Sequence, residues 1–140
     1  MSDVENIASS VIDIAFHTHR DLGPGLLESV YEAVLAKTLE THGYQVERQK
    51  PIPIKYAGLC FDEGFRADLL VDGKLLIELK SVEKFAPVHG KQVLTYLRLL
   101  DLPLGLLINF GAETFRQGIR RIVNKHQEDF IASGFSKTMD

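Results

Sequence analysis

The stretch FRADLLVDGKLLIELKSVEK, residues 65–84, constrains the fold more than any other part of the chain. It carries two strand-like runs, around 62–71 and 74–81, separated by the hairpin signal Asp72-Gly73. Successive side chains of a strand point to opposite faces. Phe65, Ala67, Leu69 and Val71 therefore read as one apolar face, with Arg66, Asp68 and Leu70 opposite. In the second run Leu75, Ile77 and Leu79 are apolar, leaving Lys74, Leu76, Glu78 and Lys80 opposite. A two-residue loop would pair residue 71 with 74 and separate Asp68 from Glu78, which the apolar pattern forbids. A three-residue Val71-Asp72-Gly73 loop with left-handed Gly73 pairs 70 with 74 and brings Asp68 one diagonal step from Glu78.

Burying these charges is costly unless they are paired or bound to a metal. Two carboxylates and an ammonium on one sheet face suit a hard divalent cation such as Mg²⁺, which often takes one or two carboxylates and keeps water and phosphate in its other positions. Lys80 would then orient or help deprotonate a water, or offset transition-state charge. The same residues also fit a solvated polar face with an ordinary Lys–Glu pair.

On either side of the hairpin the periodicity changes. Residues 2–20 read as a helix, with a Ser2/Glu5 capping box and Val4, Ile7, Ala8, Val11, Ile12 and Ala15 on one stripe. DLGPG, residues 21–25, breaks it, Gly25 relieving the turn after Pro24. A second helix follows with Leu27, Val30, Tyr31, Val34, Leu35 and Leu39 on its stripe, ending at His42-Gly43. Pro51 and Pro53 cannot donate to a ladder and mark YQVERQKPIPIKYAG as an edge or bulged strand. Residues 87–101 are helical through Val88, Val93, Leu94, Leu97 and Leu100, PLGLLINF is a short buried strand and GIRRIVN a final one, and the last fifteen residues read as a helix with a loose tail. The order is α, β, β, β, α, β in one domain spanning residues 1–140, a size that buries about two-thirds of the unfolded surface.

Two further motifs join the hairpin. Gly25, Glu28 and Tyr31 spell G-x-x-E-x-x-Y, and Gln92 and Tyr96 stand four apart in QVLTY on one helix face. With these residues the chain resembles the GxxExxY family, a branch of the PD-(D/E)XK nuclease superfamily, over roughly residues 4–125. The resemblance implies an α/β fold with an αβββαβ core, a three- or four-stranded mixed sheet flanked by helices, and Glu28, Asp68, Glu78 and Lys80 as the active-site set. It further implies that Glu28 completes the shell of a Mg²⁺ or Mn²⁺ ion held by Asp68 and Glu78, with the backbone carbonyl of Leu79 as another ligand. Gln92 and Tyr96 match a pair that helps hold the active site or the DNA. Ala67 departs from the proline that precedes the first acid in the family pattern. Taken singly, Glu28 also fits a helix N-terminus, worth about 0.3–1 kcal/mol, and Tyr31, Gln92 and Tyr96 fit packing or capping.

The expected function is a metal-dependent nuclease acting on phosphodiester bonds, with DNA as the partner and a homodimer or a further protein partner as open alternatives. A net charge of −3 argues against a non-specific nucleic-acid binder, although carboxylates around a cation contribute to it. Lys84, Lys91 and Arg98 are the candidates for phosphate contact, with Arg120, Arg121 and Lys125 clustered near the end. An accessory nucleic-acid-binding module without catalysis, or an enzyme for a smaller phosphorylated substrate, would use the same scaffold. The histidines offer no second ligand set, since His17 and His19 are two apart on a helix. Lone Cys60 reads as a small, partly buried residue of a reducing compartment, and with neither a basic leader nor an apolar span the location expected is the cytoplasm.

Overall fold

The computed structural model of the chain describes residues 3–125. Helix α1 (Val4–Leu22) buries Ile7, Ala8, Val11 and Ala15 of the expected stripe and adds Ile14, while Val4 and Ile12 are partly buried. Ser2 of the expected capping box lies outside the described residues; Asp3 takes the N-cap position, and Glu5 instead accepts from both terminal nitrogens of Arg121 at 3.1 Å. Gly23 and Gly25 follow with φ of 74° and 112°, left-handed backbone that glycine adopts at little cost.

Helix α2 (Glu28–Thr41) starts at once, but its buried arc is rotated from the expected stripe. Tyr31, Leu35, Ala36 and Leu39 are buried, whereas Leu27 and Val30 are exposed. The anchor is Tyr31, whose ring stacks on Phe110 with centroids 4.4 Å apart. That arc also takes Glu32 inward.

Five strands follow, β1 (Val46–Tyr56), β2 (Leu59–Val71), β3 (Leu75–Lys80), β4 (Leu104–Asn109) and β5 (Ile119–Val123), hydrogen-bonded in that order in one mixed sheet. All neighbours are antiparallel except β3 and β4, and their parallel step requires a crossover, which helix α3 (Pro87–Leu100) supplies. The sheet exceeds the expected three or four strands because GIRRIVN pairs along β4, after a single helical turn α4 (Phe115–Gly118). Helices α1 and α2 cover one face with Leu75, Ile77, Leu79, Leu104, Leu106 and Ile108. On the other face Val93 and Leu97 of α3 pack on Leu76 and Leu107, while Val88 is exposed. Covered on both sides, β4 is buried throughout, which accounts for its apolar run up to Asn109.

The hairpin departs from expectation in register. Its loop is three residues long, as the parity requires, but comprises Asp72, Gly73 and Lys74, because Val71 pairs with Leu75. Asp72 and Gly73 are both left-handed, with φ of 52° and 66°, and Lys74 N–H closes the turn on Val71 O at 2.9 Å. The pairing ends with Leu70 opposite Leu76 and Leu69 opposite Ile77, and continued by one step this register brings Asp68 across from Glu78 rather than onto its diagonal.

Strand β2 also changes faces. Leu69 and Val71 belong to the α1/α2 core, whereas Ala67 and Phe65 pack with α3. The switch falls where β1 and β2 skip a pair: Arg48 meets Leu69 and Lys50 meets Ala67, while Gln49 between them is left-handed at φ 49°. Beyond this point β2 leaves β3 and continues with β1 alone. The resulting two-stranded ribbon carries exposed Tyr56, Leu59, Phe61 and Cys60, so the cysteine expected to be partly buried is on the surface. As expected, β1 is an edge strand with its register shift between Ile52 and Ile54, around Pro53. The helix expected in the last fifteen residues lies outside the described part of the chain.

Candidate active site

Where β2 and β3 part, their carboxylates replace the missing ladder bonds. Asp68 N–H donates to Glu78 Oε2 at 3.0 Å, and Leu79 N–H donates to Asp68 Oδ2 at 2.8 Å. Each acid thus grips the other strand's backbone, and the two side chains are held together at the point where β2 switches faces. Glu78 is 7% exposed and Asp68 is half-buried.

Burial is the largest influence on both groups, and it disfavours the charged form. Glu78 is pushed up to about 8, first by burial and then by the Asp68 charge, with Lys80 pulling the other way. Asp68 is also raised, by burial, against the lowering effect of the Leu79 N–H and the Gln49 amide; the charges of Glu32 and Glu28 add to the rise. Tyr96 on α3 is raised by its burial and by the charges of Glu78 and Asp68, which places it within the field of the pair. Its ring stacks on Phe65 with centroids 4.0 Å apart.

The other expected site residues are distributed less tightly. Lys80, half-buried two residues beyond Glu78, makes no direct ion pair among the described residues, so the alternative of an ordinary Lys–Glu pair is not what the strand carries. Asn109 stands beside it on β4 and clamps the chain that follows: its Oδ1 accepts from Val82 N–H at 2.9 Å and its Nδ2 donates to Val82 O at 2.8 Å. Glu28, exposed in the first turn of α2, reaches Asp68 through its charge alone. Gln92 is exposed, and no hydrogen bond ties its side chain to the pair among the described residues. Tyr31 acts structurally, its hydroxyl donating to Gly23 O and accepting from Leu26 N–H, so that it fixes the loop ahead of Glu28. Ser81 Oγ donates to Leu26 O at 2.7 Å and ties the end of β3 to that loop. Lys84, Lys91 and Arg98 are exposed. Of the late basic cluster, Arg121 is engaged by Glu5 and Arg120 lies over the Phe85 ring.

Two residues at the site have no counterpart in the sequence reading. Glu32, one helical turn beyond Glu28, is 7% exposed and accepts from Arg48 Nε at 3.1 Å and from Gln49 Nε2 at 2.7 Å. The same Gln49 nitrogen donates to Asp68 Oδ1 at 3.2 Å. The i, i+4 relation of Glu32 to Glu28 was the available signal.

Among the described residues no group of three His, Cys, Asp or Glu side chains is gathered closely enough to cage a metal. That excludes from the described part the closed four-ligand site of structural zinc, but not the sparse hard-oxygen site of Mg²⁺. The donor set fits the latter. Two facing carboxylates, one of them buried, are mutually repulsive when both are ionised, and a divalent cation held by them would reverse that balance.

A family model described as the PD-(D/E)XK nuclease superfamily matches residues 5–122. A search of curated proteins found no match.

Proposed function

The chain belongs to the PD-(D/E)XK nuclease superfamily, and from that membership we propose that it is a metal-dependent nuclease hydrolysing phosphodiester bonds of DNA. Enzymes of the superfamily generally use divalent metals. The observation that carries the reading is the facing pair Asp68 and Glu78 with Lys80 beside it, placed where two strands diverge. Asp68 and Glu78 would hold Mg²⁺ or Mn²⁺, and the Leu79 carbonyl and Glu28 would complete its surroundings. When bound, the cation supplies Lewis-acid polarisation of the phosphate and a more acidic water. Lys80 orients the attacking water and stabilises the charge that develops on the phosphate. Tyr96 and Gln92 line the α3 side of the approach, and Lys84, Lys91 and Arg98 meet phosphates flanking the scissile bond. Gly25, Glu28 and Tyr31 support the GxxExxY branch as the subfamily.

Cleavage of labelled single- and double-stranded DNA and RNA, with Mg²⁺ or Mn²⁺ against EDTA, tests this function. The expected result is metal-dependent cutting of DNA that Asp68→Asn abolishes. Cutting that survives Asp68→Asn, or none on any of the four substrates, refutes it.

A further inference from the structure

Gln49 occupies the most unusual backbone position near the carboxylate pair. It is one of four described non-glycine residues with positive φ, at 49°, and the other three lie in turns or at a helix end rather than inside a strand. A strained backbone persists only where its surroundings over-determine it, and such positions concentrate at functional sites. Here three contacts fix the residue. Its side-chain nitrogen donates to Glu32 Oε1 at 2.7 Å and to Asp68 Oδ1 at 3.2 Å, and its carbonyl accepts from Arg66 Nη1 at 3.4 Å. Ionised carboxylates only accept hydrogen bonds, so the orientation of the amide follows from its two partners. Glu32 is itself buried and held on its other oxygen by Arg48 at 3.1 Å, so the bracket is anchored in α2 rather than in solvent.

We infer that Gln49 is a positioning residue: bent out of the β1 ladder and braced by Glu32, it turns the Asp68 carboxylate toward the divalent cation. This role rests on the nuclease reading above, in which Asp68 is a metal ligand. With Oδ2 fixed by the Leu79 N–H and Oδ1 by the Gln49 amide, the Asp68 plane is set before any ion arrives. Outer-shell partners that orient a ligand typically govern metal affinity by 10–100-fold. Glycine and asparagine both accept left-handed backbone more readily than glutamine. Gln49→Gly and Gln49→Asn therefore remove the reach of the amide while easing the backbone.

Mn²⁺ binding followed by the loss of its free-ion EPR signal, together with metal-free melting curves, separates the outcomes. The expected result is that wild type binds, Asp68→Asn does not, and both Gln49 variants bind about 10–100-fold more weakly although their melting temperatures are unchanged or raised. Saturating Mn²⁺ should restore most of their cleavage rate, with the half-saturating concentration raised by the same factor. Wild-type affinity in both Gln49 variants overturns the positioning role and leaves the nuclease reading standing. A loss of affinity that only tracks a fall in melting temperature in both variants also overturns it. Failure of wild type to bind Mn²⁺ removes the metal reading itself, and the role of Gln49 with it.

Discussion

Replacing Glu78 with glutamine should stabilise the metal-free protein, by an amount that grows as pH rises above about 4.5 and is complete above about 8. In the folded state Glu78 is pushed up to about 8 from an ordinary value of 4.5, by burial and by the facing Asp68. Between those two values the folded chain binds more protons than the unfolded chain, so stability falls as pH rises. The contribution of the protonated group is complete below about pH 4.5 and lost as pH passes through about 8. Asp68, shifted in the same direction, adds to the slope. The loss is on the order of a few kcal/mol, or roughly 10 °C in melting temperature for a domain of this size. Glutamine keeps an oxygen for the Asp68 N–H and has no charge to bury. In EDTA, melting curves of wild type and Glu78→Gln should coincide to within a few degrees near pH 5 and separate by roughly 10 °C near pH 9, the variant being the more stable. Added Mg²⁺ should raise wild type alone at the higher pH. A wild-type melting temperature that is flat or rising from pH 5 to 9, or a variant that declines as steeply, would show that the two carboxylates do not face each other in a buried site.

Lys80→Ala should reduce single-turnover cleavage by roughly 10²–10⁴-fold while circular dichroism and melting stay near wild type, because the ammonium holds no direct ion pair among the described residues; undiminished cleavage would remove Lys80 from the mechanism. Tyr31→Phe keeps the stack on Phe110 and loses both hydroxyl bonds to the Gly23–Leu26 loop. Its expected cost is about 1–2 kcal/mol in urea unfolding, and a variant as stable as wild type would show the hydroxyl bridge to be energetically idle.

Residues whose surroundings are local were legible in the sequence. Pro51 and Pro53 announced an edge or bulged strand, the apolar run of β4 announced a buried strand, and the apolar parity demanded an odd hairpin loop that would bring Asp68 near Glu78. The exact register was not legible, because Asp72 as well as Gly73 turns left-handed and moves the pairing by one step on each strand. Nor was the face switch in β2. Phe65, Ala67, Leu69 and Val71 alternate perfectly in sequence, and what divides them between two cores is a skipped pair with β1, a long-range property. Gln49 was hidden for the same reason, since its strand alternates through it and only the neighbour across the gap gives it a task. The inward turn of Glu32 follows from where Tyr31 stacks, which depends on Phe110 almost eighty positions away.

The site as a whole turns on whether Asp68 and Glu78 together hold a divalent cation. Calorimetric titration of Mg²⁺ and Mn²⁺ into wild type, Asp68→Asn and Glu78→Gln at pH 8 asks this without any substrate. Saturable binding to wild type, lost in Asp68→Asn and in Glu78→Gln, is the expected outcome. Equal binding by all three proteins, or none by wild type, would contradict it.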